Sequence, residues 1–179
     1  MTKVEVPSEG VVMCMLKTGM CQTIPTFRFG SVVNIATNLP HRYRGNPDFA
    51  ITDAFKGNMT KVLPLRGQTS VVISGLQSCG AVIVADMLCG NAAAAHVSGD
   101  LQFVDEWCTT LLATKGFTPH LLVVGRGTSG SKTWAEPVLR EYAKALKIRN
   151  QNAFLMDGCG AMGLTRAGVA FAKKHCEWP

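Results

Sequence analysis

Apolar positions in this chain fall in short unbroken runs over the first hundred residues, then switch to a helical period. The runs at 10–15, 31–36, 61–65, 69–74, 80–85 and 92–97 are bounded by Gly, Pro and polar residues. Runs of that length predict strands, and their lack of polar alternation predicts burial on both faces. Residues 40–60, rich in Pro, Gly, Asn and Asp, predict a long polar loop. From 101 to 115 the pattern changes: Phe103, Val104, Trp107, Cys108, Leu111 and Leu112 recur at helical spacing. Asp100 stands where an N-cap would, and Gly116 where a helix-closing glycine would. A short buried strand follows at 121–124, then a Gly- and Ser-rich loop at 125–131 and a helix over 134–147 capped by Thr133. Residues 153–156 predict a further strand, Asp157 to Gly160 a turn, and 168–174 a last amphipathic helix. Strands early and helices late predict an α+β fold.

No internal repeat, low-complexity block or linker divides the chain, so its 179 residues are expected to form a single domain. An apolar fraction of 47% is that of a globular protein. No apolar run reaches the ~18 residues of a membrane span. Glu5 and Glu9 interrupt any signal-peptide core at the N-terminus, which leaves the cytoplasm, or delivery that needs no such signal, as the expected setting. The net charge of +6 is scattered, with small clusters at Arg42–Arg44 and Lys144–Arg149, and only 7% of residues are aromatic. A nucleic-acid partner would call for a denser basic stripe interleaved with aromatics; an acidic protein partner fits the charge as well.

Seven cysteines at irregular spacings, with no CxxC pair, argue against a zinc ribbon or a thioredoxin-like site. The default for them is reduced thiols in a cytoplasmic setting, most serving as small core hydrophobes. Cys79 is the exception with chemical promise. It follows the turn Ser74-Gly75-Leu76-Gln77-Ser78 and precedes the run 81–85. A second turn over Asp86 to Asn91 then brings 92–97, with His96, back across. Adjacent antiparallel strands lie about 5 Å apart, so this hairpin sets Cys79 and His96 side by side. A thiol beside an imidazole is a nucleophile beside its base, and the imidazole favours the thiolate. The alternative is a buried cysteine at a strand start and an unrelated histidine at a sheet edge. Cys159, in Asp157-Gly158-Cys159-Gly160, is a rival nucleophile with His120 or His175 as partner, and reads more simply as structural. The loop 125–131 lacks the lysine of a phosphate-binding P-loop; it reads as a strand-to-helix turn, with Arg126 or Ser129 on the rim of the site.

Residues 61–165 resemble the bacterial cysteine deamidases, both the chemoreceptor glutamine deamidases and the catalytic domains of cytotoxic necrotizing factor and related lethal-factor toxins. Gly75-Leu76-Gln77-Ser78-Cys79 is similar to the Gly-x-Gly-Ser-Cys turn of the first family, and Ala93-Ala94-Ala95-His96 to the segment around its histidine. The resemblance implies β-sandwich-like layered sheets with flanking helices, and Cys79 and His96 as the catalytic pair. The family's threonine six residues before the cysteine is replaced by Ile73, and its second glycine by Gln77. Ser74, or a backbone carbonyl, is then the expected third group that orients the imidazole.

The residues and the resemblance together predict a protein glutamine deamidase. The Cys79 thiolate attacks a side-chain carboxamide, His96 protonates the departing ammonia and activates the hydrolytic water, and nearby backbone N–H groups hold the oxyanion. The chemistry calls for no metal and no organic cofactor. Its partner is a protein substrate, selected by loops at 40–60, 86–91 and 125–133. The setting is a toxin or effector working in another cell or a chemoreceptor deamidase at home; a non-enzymatic interaction module is the alternative of another class.

Overall fold

The computed structural model describes residues 1–26, 32–34, 49–51, 59–66, 70–97, 104–129 and 135–175. In chain order its first elements are strands β1 (Thr2–Glu5), β2 (Val11–Met15), β3 (Met20–Ile24), β4 (Val32–Asn34), β5 (Phe49–Ile51), β6 (Leu63–Pro64), β7 (Ser70–Ser74), β8 (Gly80–Asp86) and β9 (Asn91–Val97). Helix α1 (Val104–Ala113), strand β10 (Leu121–Gly127), helix α2 (Ala135–Ala145) and strands β11 (Ala153–Cys159), β12 (Ala161–Thr165) and β13 (Val169–Lys173) complete them. One mixed sheet runs in the order β1-β11-β10-β8-β9-β6, and a second runs β3-β2-β13-β12-β7-β4-β5. The two sheets and two helices make a layered α+β fold.

Side chains from alternate positions of the central strands fill two apolar layers. Ala81 and Ile83 of β8, Ala92 and Ala94 of β9, and Val123 of β10 face the second sheet, where they meet Val71 and Ile73 of β7 and Met162 of β12. The intervening Val82, Val84, Ala93, Ala95 and Val124 face the helices, against Trp107, Leu111, Leu139 and Tyr142. The six-stranded sheet is therefore covered on both sides, which is why the middle positions of its central strands are apolar on both faces. The alanines of β9 keep this packing tight. Beside them Thr60 brackets Ala94 with two backbone-directed bonds, Thr60 N–H to Ala94 O at 2.9 Å and Ala94 N–H to Thr60 Oγ1 at 3.0 Å. The Trp107 indole N–H donates to the Thr60 carbonyl at 2.8 Å, and its ring meets Tyr142 edge-on.

Several expectations need correction. Residues Val169–Lys173 form a strand, not a helix: Ala170 and Ala172 face the inter-sheet layer and Phe171 the opposite face. Burial on both faces hides the two-residue period. Gly125–Gly127 extends β10 rather than opening a loop, and β11 runs on through Cys159. Phe49–Ile51 forms β5 inside the segment expected as loop. Strands β1, β3 and β12 add to those expected, and three strands follow the second helix where one was expected. Asp100, Thr133 and Trp134, expected at helix starts, lie outside the described residues. Finally, Cys14 and Cys21 face each other across β2 and β3 and are joined in a disulfide, so the cysteines are not all reduced thiols.

Candidate active site

Of the points where the chain passes from one sheet to the other, two are neighbours in space. The first, between β7 and β8, is the turn 75–79; the second, between β11 and β12, is Gly160. Leu76 N–H donates to Gly160 O at 2.9 Å, which ties the crossovers together. Gly75 opens the first turn with φ of +76°, a conformation that glycine adopts without steric cost. Leu76 then plugs the inter-sheet core while Gln77 and Ser78 are exposed and Cys79 is half-buried. Ser78 Oγ lies 3.9 Å from Cys79 Sγ.

The end of β10 holds the turn from its other side. Gly127 N–H donates to Cys79 O and Ser129 N–H to Gln77 O, both at 2.9 Å. A Cβ on Gly127 would collide with the carbonyl oxygens of Gln77 and Cys79, so the close approach requires glycine there. Among the described residues the backbone N–H groups of Ser78 and Cys79 have no carbonyl partner. They are two backbone donors next to the Cys79 side chain, the kind of group that can stabilise a developing negative charge.

Strand β9 supplies His96. The register pairs Gly80 with Val97 and Ala81 with His96, so His96 lies opposite Ala81 and not opposite Cys79. Alternation puts Cys79, Ala81 and His96 on the same face of the sheet, with Cys79 and His96 in a diagonal relation. Diagonal neighbours lie ~7–8 Å apart along the backbone, within reach of long side chains. No hydrogen bond joins the Cys79 thiol to the imidazole among the described residues. His96 Nδ1 is buried with no partner, and burial pushes the ring's pKa below its ordinary 6.5. A neutral imidazole is the result, which is the form a general base needs.

Ser74 is placed differently from expectation. It ends β7 opposite Ala161, buried, and alternation puts it on the face of Val72, away from Ile73 and the inter-sheet layer. It therefore shares neither sheet nor face with His96. The strand runs one residue further than a turn beginning at Ser74 would allow, and this reverses the side chain's direction. Cys159 is fully buried, its Sγ donating to Arg126 O at 3.5 Å and Met156 O at 3.8 Å, as suits a structural cysteine. His120 lies at the opposite end of β8, near Asp86, and His175 follows β13. The 86–91 turn also sits at that far end, a seven-residue strand away from Cys79, and so is not on the rim of this site. Thr128 and Ser129 do border the turn; 130–133 and most of 40–60 lie outside the described residues.

Two features escaped sequence reasoning. One is Gly127, whose clue was the glycine spacing of 125–131. The other is a buried ion pair between Arg126 and Asp157, with Lys3 Nζ 3.2 Å from the second Asp157 oxygen. Burial alone would raise the Asp157 carboxyl, but hydrogen bonds and charge from Arg126 and Lys3 outweigh it and hold the group below the usual carboxylate range. Among the described residues no three His, Cys, Asp or Glu side chains are grouped to hold a metal ion. No helix among them is long and apolar enough to cross a membrane. No protein-family model matches the chain, and no curated protein matches it.

Proposed function

We propose that the protein is a cysteine-dependent deamidase that converts a glutamine side chain of a protein substrate to glutamate. The observation that carries this reading is the β8–β9 register, which sets His96 on the same face as Cys79 one diagonal step away. The half-buried Cys79 Sγ attacks the carboxamide carbon, and the Ser78 and Cys79 N–H groups donate to its oxygen as negative charge develops there. His96, kept neutral by burial, takes the thiol proton and gives it to the leaving ammonia. It then draws a proton from water, which cleaves the thioester, frees the glutamate and restores the thiol. An amine in place of that water would give transglutamination. Ser74 is turned away and the buried His96 Nδ1 has no partner, so in this reading the packing around the ring, and not a third group, orients the imidazole. The layered sheets and flanking helices support a place beside the chemoreceptor deamidases and the necrotizing-factor domains.

The Cys14–Cys21 disulfide favours the toxin or effector setting over the housekeeping one, because such bonds persist in oxidising compartments. One observation favours the interaction module instead: the thiol and imidazole share no hydrogen bond. Mass spectrometry of bacterial and eukaryotic lysates treated with wild-type or Cys79→Ser protein separates the readings. Glutamine-to-glutamate conversion at a few sites, present only with wild type, is the expected result. Conversion that persists in Cys79→Ser would refute the mechanism, and no conversion in either lysate would favour the module.

A further inference from the structure

The turn that carries Cys79 is only as well placed as the strand end it leans on. Strand β10 pairs with β11 in regular parallel register through Arg126, which faces Asp157; at the next step the register shifts and Gly127 pairs with Cys159. Gly158 is the residue passed over, with φ of +82°. This is a bulge, and bulges re-aim the backbone beyond them. Here the group that is re-aimed is Gly127 N–H, the donor to the carbonyl of Cys79.

The last regular pair before the bulge is the Arg126–Asp157 ion pair, each residue only 8% exposed. On its other side Arg126 pairs with Gly80, the residue directly after Cys79. Arg126 Nη1 also lies 3.5 Å from Gly127 O. Lys3 of β1, half-exposed, holds the outer oxygen of Asp157. A continuous set of contacts thus runs from the N-terminal strand through a buried charge pair to the backbone of the cysteine. A buried ion pair is a poor source of net stability but a strong constraint on register, because a slip would leave a buried charge unpaired.

We infer that Arg126 and Asp157 are positioning residues, locking the β10–β11 bulge so that Gly127 holds Cys79 in reach of His96. The inference rests on Cys79 being the nucleophile, and its test is chosen to fail separately from that reading. The measurement is iodoacetamide alkylation of the native protein near neutral pH, read by peptide mass spectrometry as the ratio of Cys79 to Cys89. Cys89 is exposed in the β8–β9 turn at the far end of the sheet and serves as an internal reference.

In folded Asp157→Asn protein the ratio is expected to fall about tenfold. Arg126→Lys, which keeps a cation opposite Asp157, should stay within about threefold of wild type. A ratio unchanged in folded Asp157→Asn overturns the inference. So does a lower melting temperature with Cys108 and Cys159 newly labelled and the ratio unchanged, the mark of a purely structural pair. If Asp157→Asn does not fold, Lys3→Met decides: a drop of about twofold supports the inference and no change overturns it. His96→Ala is the separate control. If it leaves the wild-type ratio unchanged, the catalytic pair itself is refuted, whatever the ion pair does.

Discussion

Two neighbouring crossovers between the sheets each carry a cysteine, and they differ in every respect that matters for chemistry. Cys159 reaches the end of β11 with its side chain fully buried and its thiol spent on two backbone carbonyls. Cys79 leaves its turn half-buried, with its carbonyl fixed by Gly127 and two backbone N–H groups nearby without carbonyl partners among the described residues. Both stand next to glycines, and both belong to the same bonded pair of crossings. Residue type and local sequence therefore say little about reactivity; access, an imidazole on the next strand and free donors separate a candidate nucleophile from a core residue.

The largest expected effect tests that contrast directly. Cys79→Ser should reduce deamidation about 10⁴-fold or more while the melting temperature holds, since the side chain is half-exposed. Cys159→Ser should do the reverse: activity within a few-fold, and stability lower by about 1 kcal/mol. Activity and thermal unfolding measured on both variants give the answer, and equal activity losses would erase the distinction.

The next effect concerns the glycines. Gly127→Ala drives a methyl group into the carbonyls of Gln77 and Cys79, so the turn must shift. A misplacement of about 1 Å at a reacting group costs roughly 100-fold in rate, and that loss is expected in kcat. Gly163 in β12 offers the matched control. A Cβ there meets the Phe171 ring and the Val71 carbonyl, remote from Cys79. Gly163→Ala should cost about 1–3 kcal/mol of stability, seen in denaturant unfolding, with the activity of the folded fraction retained.

The same contrast marks what could be read in the sequence. Strands β7, β8 and β9 were legible because two-sided burial writes unbroken apolar runs, and the hairpin followed from the turn between two of them. The Cys79–His96 pairing was legible to within two residues of register, since turn length fixes register only when the last paired residue is known. Ser74 was misassigned through a one-residue uncertainty in where β7 ends. Strand β12 was hidden because Gly163, with no side chain, makes room for Phe171, a neighbour that local sequence does not reveal. Gly127 and the Arg126–Asp157 pair were illegible for a deeper reason. Their roles exist only once distant segments pair, and a residue's own neighbours carry no record of that.

A smaller effect comes from His96. Burial sets its folded pKa below 6.5, so as the pH falls the unfolded chain takes up the proton first. Its contribution is intact above about pH 6.5 and is lost as the pH drops from there toward the folded value. Asp157 acts in a separate window. Its carboxyl is held below 3.8, so the stability it confers is lost only as the pH falls below that value. Urea unfolding across this range should show a slope just below about pH 6.5 that is absent in His96→Gln. A slope that survives the substitution would mean His96 is not the titrating group.

The smallest effect on the site is expected from the Cys14–Cys21 disulfide. It staples β2 to the edge strand β3, whereas Cys79 and His96 belong to the other sheet. Closing so short a loop contributes about 2–3 kcal/mol, mainly by restricting the unfolded chain. Mild reduction should therefore lower the denaturation midpoint while the alkylation ratio of Cys79 to Cys89 stays as it was. Cys159 provides the sharper readout: it lies in the inter-sheet layer with Cys14, and it must stay unlabelled if the layer holds without the staple. If reduction exposes Cys159 before Cys79 changes, the core yields first and the candidate active site is the sturdier crossover. If Cys79 changes first, the second sheet governs the placement of the turn, and the distinction between the two crossings is one of exposure alone.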